Sequence, residues 1–196
     1  MKPSKHLLAM ALSAGMLFST STLMAQDRLS LELRGDAALA TQELGDADLG
    51  LGLGVEAMLA YRFMPHLGVY GGWGWKQFSD ENSFAGTDVD FEETGYTFGL
   101  QFIHPLGASS LNYLVRAGGV YNHIEAEDNE GSITADTGHG LGWQAEVGID
   151  IPFNDYWSMR PSVRYRALSR DFDIEGVTTD VDLTYFSLGV GFARTF

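Results

Sequence analysis

The sequence contains no cysteine, and only 12 of its 196 residues are lysine or arginine, against 26 aspartates and glutamates. Without thiols the chain forms no disulfides and offers no cysteine for lipid attachment. The shortage of basic residues argues against nucleic acid as a partner, because binding to phosphates needs clustered lysine and arginine. The formal net charge of −14 therefore indicates an acidic protein whose partners are not nucleic acids.

Charged residues are also scarce, at 19% of the chain, whereas glycine (24 residues) and aromatic residues (12%) are abundant. Soluble domains carry roughly 25% charged residues, and disordered acidic chains have few aromatic residues. The composition argues against both a disordered chain and an ordinary helical domain. The length suits one domain rather than two.

The N-terminus has the layout of a secretory signal. Lys2 and Lys5 precede an apolar stretch, Leu7–Phe18, and small polar residues lead to Ala25. The alternative, a membrane anchor, is disfavoured because 12 residues are too few when a spanning helix needs about 20. We therefore predict a signal peptide at 1–25 and a single domain at 26–196, which carries a net charge of −16 once the two lysines are removed.

Apolar residues occupy every second position through most of this domain. Over residues 49–63 the odd positions are mainly leucine, valine, tyrosine and phenylalanine, while glycine, alanine and charged residues hold most even positions. A period of two predicts β-strands. Eight such segments occur, and they fall near residues 29–33, 49–63, 69–75, 96–102, 111–121, 141–151, 157–165 and 186–196.

The connections between these segments alternate in length. Short turns are expected at 64–66, 105–110 and 152–155, and longer polar stretches lie at 41–48, 79–93, 125–136 and 171–182. The predicted fold is all-β: an eight-stranded antiparallel up-and-down barrel with long loops at one end and short turns at the other.

Two all-β architectures would produce this alternation. A soluble sandwich or lipocalin-like barrel would turn the apolar face inward and leave many glycines facing water, where they have no evident purpose. In a membrane barrel the glycines face a narrow bore and leave room for long polar side chains. The membrane barrel is also favoured by Arg160, Arg164 and Arg166, each of which would cost about 2–4 kcal/mol if it faced lipid at the membrane midplane.

Two residues depart from the regular pattern. Pro161 lies inside a predicted strand, where it removes a ladder hydrogen bond, so a bulge or local irregularity is expected there. Arg194 falls on the lipid-facing side of the last strand, and its position two residues from the end predicts that it lies at the lipid headgroups.

The segments YLVRAGGVY (113–121), GLGWQAEVGIDIPF (140–153) and the final YFSLGVGFARTF complete the pattern. With these glycine-aromatic strands the chain resembles the small eight-stranded outer-membrane barrels of Gram-negative bacteria, which include the OmpA transmembrane domain and the OmpX/Ail proteins. The resemblance implies location in the outer membrane, contact with membrane lipids and lipopolysaccharide, and assembly by the barrel-assembly machinery. It also implies that the assembly signal comprises Leu188, Val190, Phe192 and Phe196.

Polar residues with inward parity are expected to form a paired, hydrogen-bonded plug, because buried charges are costly unless they are paired. A gated ion path is the alternative interpretation of the same residues. They are Glu32, Arg34, Glu56, Arg62, Gln101, Arg116, Gln144, Glu146, Arg160 and Arg164.

Acidic residues concentrate in the four long polar stretches, which hold 19 of the 26 and no lysine or arginine. A solvated, mutually repelling surface explains this arrangement. The alternative is binding of divalent cations, although no EF-hand spacing supports a dedicated calcium site. Its candidate ligands are Asp171, Asp173, Glu175, Asp180 and Asp182.

The sequence predicts a non-enzymatic barrel, without a cofactor, that acts as a monomer in envelope integrity or surface adhesion. A narrow gated channel or small porin is one alternative. A lipid A-modifying enzyme is another, for which His123, His139 and Ser169 would be candidates, but they belong to no recognisable catalytic motif. The surface ligand and any host receptor are not specified by the sequence.

Overall fold

A computed structural model describes residues 27–41, 49–80, 90–127, 133–174 and 177–196. The predicted signal peptide lies outside the described residues. No helix in the described part of the chain is long and apolar enough to cross a membrane. The strands of the described residues are β1 (Leu29–Ala40), β2 (Leu49–Arg62), β3 (Leu67–Asp80), β4 (Asp90–Pro105), β5 (Asn112–Glu127), β6 (Ile133–Asp136), β7 (Gly140–Pro152), β8 (Trp157–Ile174) and β9 (Val177–Thr195).

Antiparallel pairing joins these strands into a closed barrel. The order β4-β3-β2-β1-β9-β8-β7-β5 closes on itself through the β4–β5 pair, so eight strands form the wall. The short strand β6 pairs with β5 beyond the start of β7. The predicted eight-stranded all-β barrel is therefore confirmed.

The two faces of the wall have opposite polarity. Leu33 and Leu188 on the outer face are 62% and 67% exposed, whereas Arg34 and Arg116 on the inner face are each 2% exposed. A soluble sandwich would show the reverse arrangement. The apolar face points outward, as a membrane barrel requires, and Arg160, Arg164 and Arg166 are buried in the bore.

The three short turns lie where the sequence predicts them, at the end of the barrel that also holds both ends of the wall, Leu29 and Thr195. The long connections lie at the other end, and there the predicted boundaries were wrong. The strand β4 begins at Asp90, and the β8–β9 ladder continues to Ile174↔Val177. Alternation of apolar and polar residues marks only the part of a strand that lies between the lipid and the bore. Backbone pairing does not need this alternation, so the strands continue beyond the apolar band into polar sequence.

The ladder between β7 and β8 is interrupted at Pro161. Pairing stops at Gly148↔Ser162 and resumes at Ile151↔Met159 with the register unchanged. Because proline has no N–H group, the expected irregularity is a gap in the ladder rather than a bulge.

Gly118 allows β4 and β5 to approach closely inside the wall. It pairs with Gly99, and a Cβ atom at Gly118 would overlap the Phe98 carbonyl oxygen and lie 2.7 Å from the Gly99 Cα. By contrast, a Cβ atom at Gly71 on the outer face would have its nearest neighbour, the Thr97 carbonyl oxygen, at 3.8 Å.

We therefore expect Gly118→Ala to destabilise the barrel by about 1–3 kcal/mol, the usual cost of overpacking, and Gly71→Ala to leave stability nearly unchanged. Urea unfolding in lipid vesicles, followed by the different gel mobilities of folded and unfolded barrel, measures both variants. Equal stabilities for the two would contradict the close approach at Gly118.

Candidate functional site

The bore of the barrel collects nine of the ten polar residues predicted to line it, and all nine are buried. Arg62 differs. It is exposed at the short-turn end, where its guanidinium donates a hydrogen bond to the Asp27 carbonyl oxygen. Its parity within β2 points inward, but it is the last residue of the strand and so lies at the mouth.

Glu146 is the centre of the network in the bore. Its carboxylate accepts hydrogen bonds from Arg34 Nη1 at 3.0 Å and Arg164 Nη2 at 2.9 Å, and it lies 3.4 Å from Arg116 Nη1. Arg164 also pairs with Glu56, which accepts a further hydrogen bond from Thr97 Oγ1 at 2.7 Å. One carboxylate therefore joins guanidinium groups from β1, β5 and β8.

Towards the short turns the network continues through Glu32. Its Oε2 accepts hydrogen bonds from Arg116 Nη2 at 2.5 Å and Arg160 Nη1 at 2.8 Å. Arg160 Nε donates to Asp150 at 2.7 Å, and Arg116 Nε donates to Gln101 Oε1 at 2.8 Å. The Arg160 guanidinium is thus shared between two acceptors, and the Arg116 guanidinium between Glu32, Gln101 and Glu146.

Towards the long loops the network ends at Glu93. This carboxylate accepts hydrogen bonds from Arg166 Nη1 at 2.5 Å, Tyr185 Oη at 2.6 Å and Asn122 Nδ2 at 2.6 Å. The sequence interpretation that placed Glu93 in an acidic loop was wrong, because β4 begins three residues before it and turns it inward. On the same side of the network, Lys76 pairs with Asp36.

The charges described in the bore balance. Six cationic side chains face six carboxylates. Asp36, Lys76, Glu93 and Asp150 were absent from the predicted set, whereas Arg166 was expected to face inward but was not included in the plug. The parity of each strand is the signal that could have identified them. The cations are Arg34, Lys76, Arg116, Arg160, Arg164 and Arg166, and the anions are Glu32, Asp36, Glu56, Glu93, Glu146 and Asp150.

Apolar side chains also pack inside the bore, in two clusters. A larger cluster lies towards the long loops, and a smaller cluster of Met58, Ala60 and Tyr70 lies towards the short turns. Alternation did not reveal these residues, because apolar side chains on the inner face interrupt it. The larger cluster consists of Ala38, Phe78, Val120, Ile124, Leu168, Leu183 and Tyr185.

The inner side chains of the described strands are closely packed. The cavity bordered by Glu56, Lys76 and Arg164 measures about 10 Å³, which is space for about one water molecule. A cavity of about 300 Å³ lies at the short-turn mouth, beside Asp27 and Arg160. The described part of the bore is a packed interior with a shallow polar vestibule.

The last strand presents its predicted apolar stripe on the outer face: Leu188, Val190, Phe192 and Phe196 are 67%, 39%, 51% and 45% exposed. Arg194 lies between them with its guanidinium carbon 4.9 Å from the Phe196 ring centre and 5.7 Å from that of Trp157. Such cation–π contacts suit a charge at the headgroup level.

The predicted metal ligands on β8 and β9 are only partly described. The register places Asp171 opposite Asp180, but the side chains of Asp171, Asp173 and Asp180, and the whole of Glu175, lie outside the described residues. Asp182 is exposed.

Of the residues weighed for catalysis, His123 and His139 lie together, with stacked rings whose centres are 4.4 Å apart and whose planes are inclined by 14°. His123 Nδ1 also lies 3.4 Å from carboxylate oxygens of Glu125 and Asp136. Ser169, on β8, pairs across the ladder with Asp182.

The closed barrel, its apolar outer face and its charged interior are matched by a known family. Residues 10–193 match the model of the family described as outer membrane protein beta-barrel domain. The chain belongs to this family. It is an outer-membrane protein of Gram-negative type, whose short turns therefore face the periplasm and whose long loops face the exterior. No curated protein sequence matches the chain significantly.

Several solved structures share the fold at low sequence identity. Neisserial surface protein A superposes with a TM-score of 0.63 at 15% identity, covering 86% of this chain and 97% of that one. OprG from Pseudomonas aeruginosa gives 0.56 at 14% identity, covering 88% and 98%. Outer membrane protein W from E. coli gives 0.56 at 17% identity, covering 89% and 100%. At these identities the likeness shows the fold alone.

We expect Glu146→Gln to destabilise the barrel by about 3–5 kcal/mol, because it leaves the bore with one buried positive charge in excess. Glu92→Gln is the matched control, since Glu92 lies half-buried on the outer face and accepts a hydrogen bond from Trp75. Urea unfolding of each variant, folded in lipid vesicles, compares their free energies of unfolding. A Glu146→Gln variant as stable as the control would contradict the central role of this carboxylate.

Proposed function

We propose that this protein is a non-enzymatic outer-membrane barrel with a plugged bore, serving envelope integrity or surface adhesion. It acts as a monomer surrounded by lipid and lipopolysaccharide, and the barrel-assembly machinery reads its final strand. The observation that carries the proposal is the filling of the bore by a charge-balanced network and two apolar clusters. A barrel with a filled bore does not conduct solutes, so its function depends on its exposed surface.

Three features of the interior support a closed bore. Arginine side chains cross between strands and are hydrogen-bonded to carboxylates from several strands. The network is neutral, so it attracts neither cations nor anions as a class. The larger apolar cluster adds an apolar section towards the exterior, and hydrophobic constrictions obstruct ions by excluding water.

The exterior end supports a surface role. The long polar stretches contain most of the acidic residues of the chain and no lysine or arginine. Strands β8 and β9 carry their pairing up to Ile174↔Val177, beyond the apolar part of the wall, so they hold acidic residues away from the membrane. A partner for this end would be cationic, or would bind through divalent cations.

One observation favours a gated channel as a second candidate function. Among the described residues, Arg34 Nη2 and Ser187 Oγ are the buried side-chain atoms without a hydrogen-bond partner. Arg34 lies between Glu146 and Asp36. Because its Nη2 has no hydrogen-bond partner, Arg34 is the side chain that could exchange one carboxylate for another and so open a path.

Ion flux into proteoliposomes distinguishes the two. We expect vesicles containing wild-type protein to leak no faster than empty vesicles, because the network and the larger apolar cluster both obstruct the path. A variant with Glu56, Phe78, Arg164 and Tyr185 changed to alanine keeps the charge balance while removing parts of both obstructions, and it should leak. Gly71→Ala serves as a control for reconstitution, and heat-dependent gel mobility confirms that each variant is folded.

Flux through the wild-type barrel above the empty-vesicle level would overturn the plugged bore and favour the channel.

Mass spectrometry of lipid A with and without expression tests the third class, a lipid A-modifying enzyme. We expect an unchanged acyl pattern. A change in acylation that depends on His123 would establish enzymatic activity instead.

A further inference from the structure

Beyond the bore, His123, Glu125 and Asp136 form a compact group on the outer face near the exterior end. His123 and Glu125 are two residues apart on β5 and share a face, and Asp136 on β6 pairs directly with Glu125. One nitrogen and two carboxylate oxygens from these residues all lie within 4.8 Å of one another. We propose that they form a binding site for a divalent transition-metal ion, for which zinc is the chosen probe.

The distances fit coordination better than hydrogen bonding. His123 Nδ1 is 3.4 Å from both Glu125 Oε1 and Asp136 Oδ1, whereas N–H···O hydrogen bonds are typically about 2.7–3.2 Å long. With metal–ligand bonds of about 2.0–2.2 Å, neighbouring ligands of a tetrahedral zinc ion lie about 3.3–3.6 Å apart. The two separations from the imidazole therefore match two edges of such a tetrahedron.

Repulsion between the carboxylates of Glu125 and Asp136 also favours binding of a cation. Carboxylates directly opposite each other on neighbouring strands repel, and Glu125 and Asp136 occupy such positions. A divalent ion between them would neutralise both charges. The side chains of His123, Glu125 and Asp136 are 16%, 17% and 45% exposed, which leaves one side of the group open for a fourth ligand.

The ligand positions are held by contacts that do not depend on a metal. Thr137 N donates to the Ile124 carbonyl oxygen, and Ile124 N donates to Thr137 Oγ1, both at 3.0 Å. Gly138 N donates to Asp136 Oδ1 at 2.8 Å, and the His139 ring stacks on His123. Hydrogen bonds to a ligating carboxylate and a fixed imidazole orientation are what second-shell contacts provide in metal sites.

The donor set indicates which metals would bind. An imidazole with two carboxylates suits zinc and its neighbours in the first transition row, whereas calcium and magnesium prefer oxygen alone. The site would tie β6 to β5 outside the membrane and would hold a cation where anionic groups of the cell surface could reach its open side.

Zinc titration of the refolded protein, without a histidine tag and in competition with a chromogenic chelator, tests the proposal. We expect one zinc ion per chain. His123→Ala and Asp136→Asn should each weaken binding by tenfold or more. His104→Ala is the matched control, because His104 also stacks on aromatic rings but at the short-turn end, and it should bind zinc as the wild type does.

Heat-dependent gel mobility shows whether each variant is folded, so that loss of binding is not mistaken for loss of the barrel. If folded His123→Ala binds zinc as tightly as the wild type, the site is not the one proposed. If calcium at equal concentration displaces the zinc, the binding belongs to the acidic surface in general, and the proposal is likewise overturned.

Discussion

The carboxylate of Glu146 lies against guanidinium groups from three other strands, and the packing of the bore depends on this arrangement. Charges without water are tolerated only when each one is paired. Every arginine at Glu146 therefore reaches a second carboxylate, and the pairing spreads through the interior. The second partners of Arg34, Arg116 and Arg164 are Asp36, Glu32 and Glu56 respectively.

The lipid outside and the ion pairs inside fix the same register. A shift of one residue would move arginines of β8 into hydrocarbon and bring leucines of the outer face into the bore. It would also separate direct cross-strand neighbours such as Arg116↔Glu146 and Glu146↔Arg164. The wall therefore needs no apolar core of ordinary size, and most of its large apolar side chains lie on the outer face.

Much of the fold could be predicted from the sequence, because a membrane barrel displays its alternation along the whole apolar band. The ends of the strands could not be predicted. Strands β4 and β8 continue through polar residues, which need only a neighbouring strand to pair with and show no apolar alternation. Within the bore, nine predicted residues are buried, but Lys76 and Glu93 were missed although the parity of β3 and β4 places them inside. Phe78 and Leu183 are apolar where alternation calls for polar residues, and only the three-dimensional packing explains them.

The ion pairs of the bore join residues that are far apart in sequence. Arg160 and Glu32 are 128 positions apart, and Arg34 and Glu146 are 112 apart, so the first strands meet their partners only when the last strands arrive. An open sheet would expose these charges without their counter-ions, and closing such long loops is entropically slow. We therefore expect barrel closure and neutralisation of these charges to be coupled, which would disfavour stable half-assembled forms within the membrane.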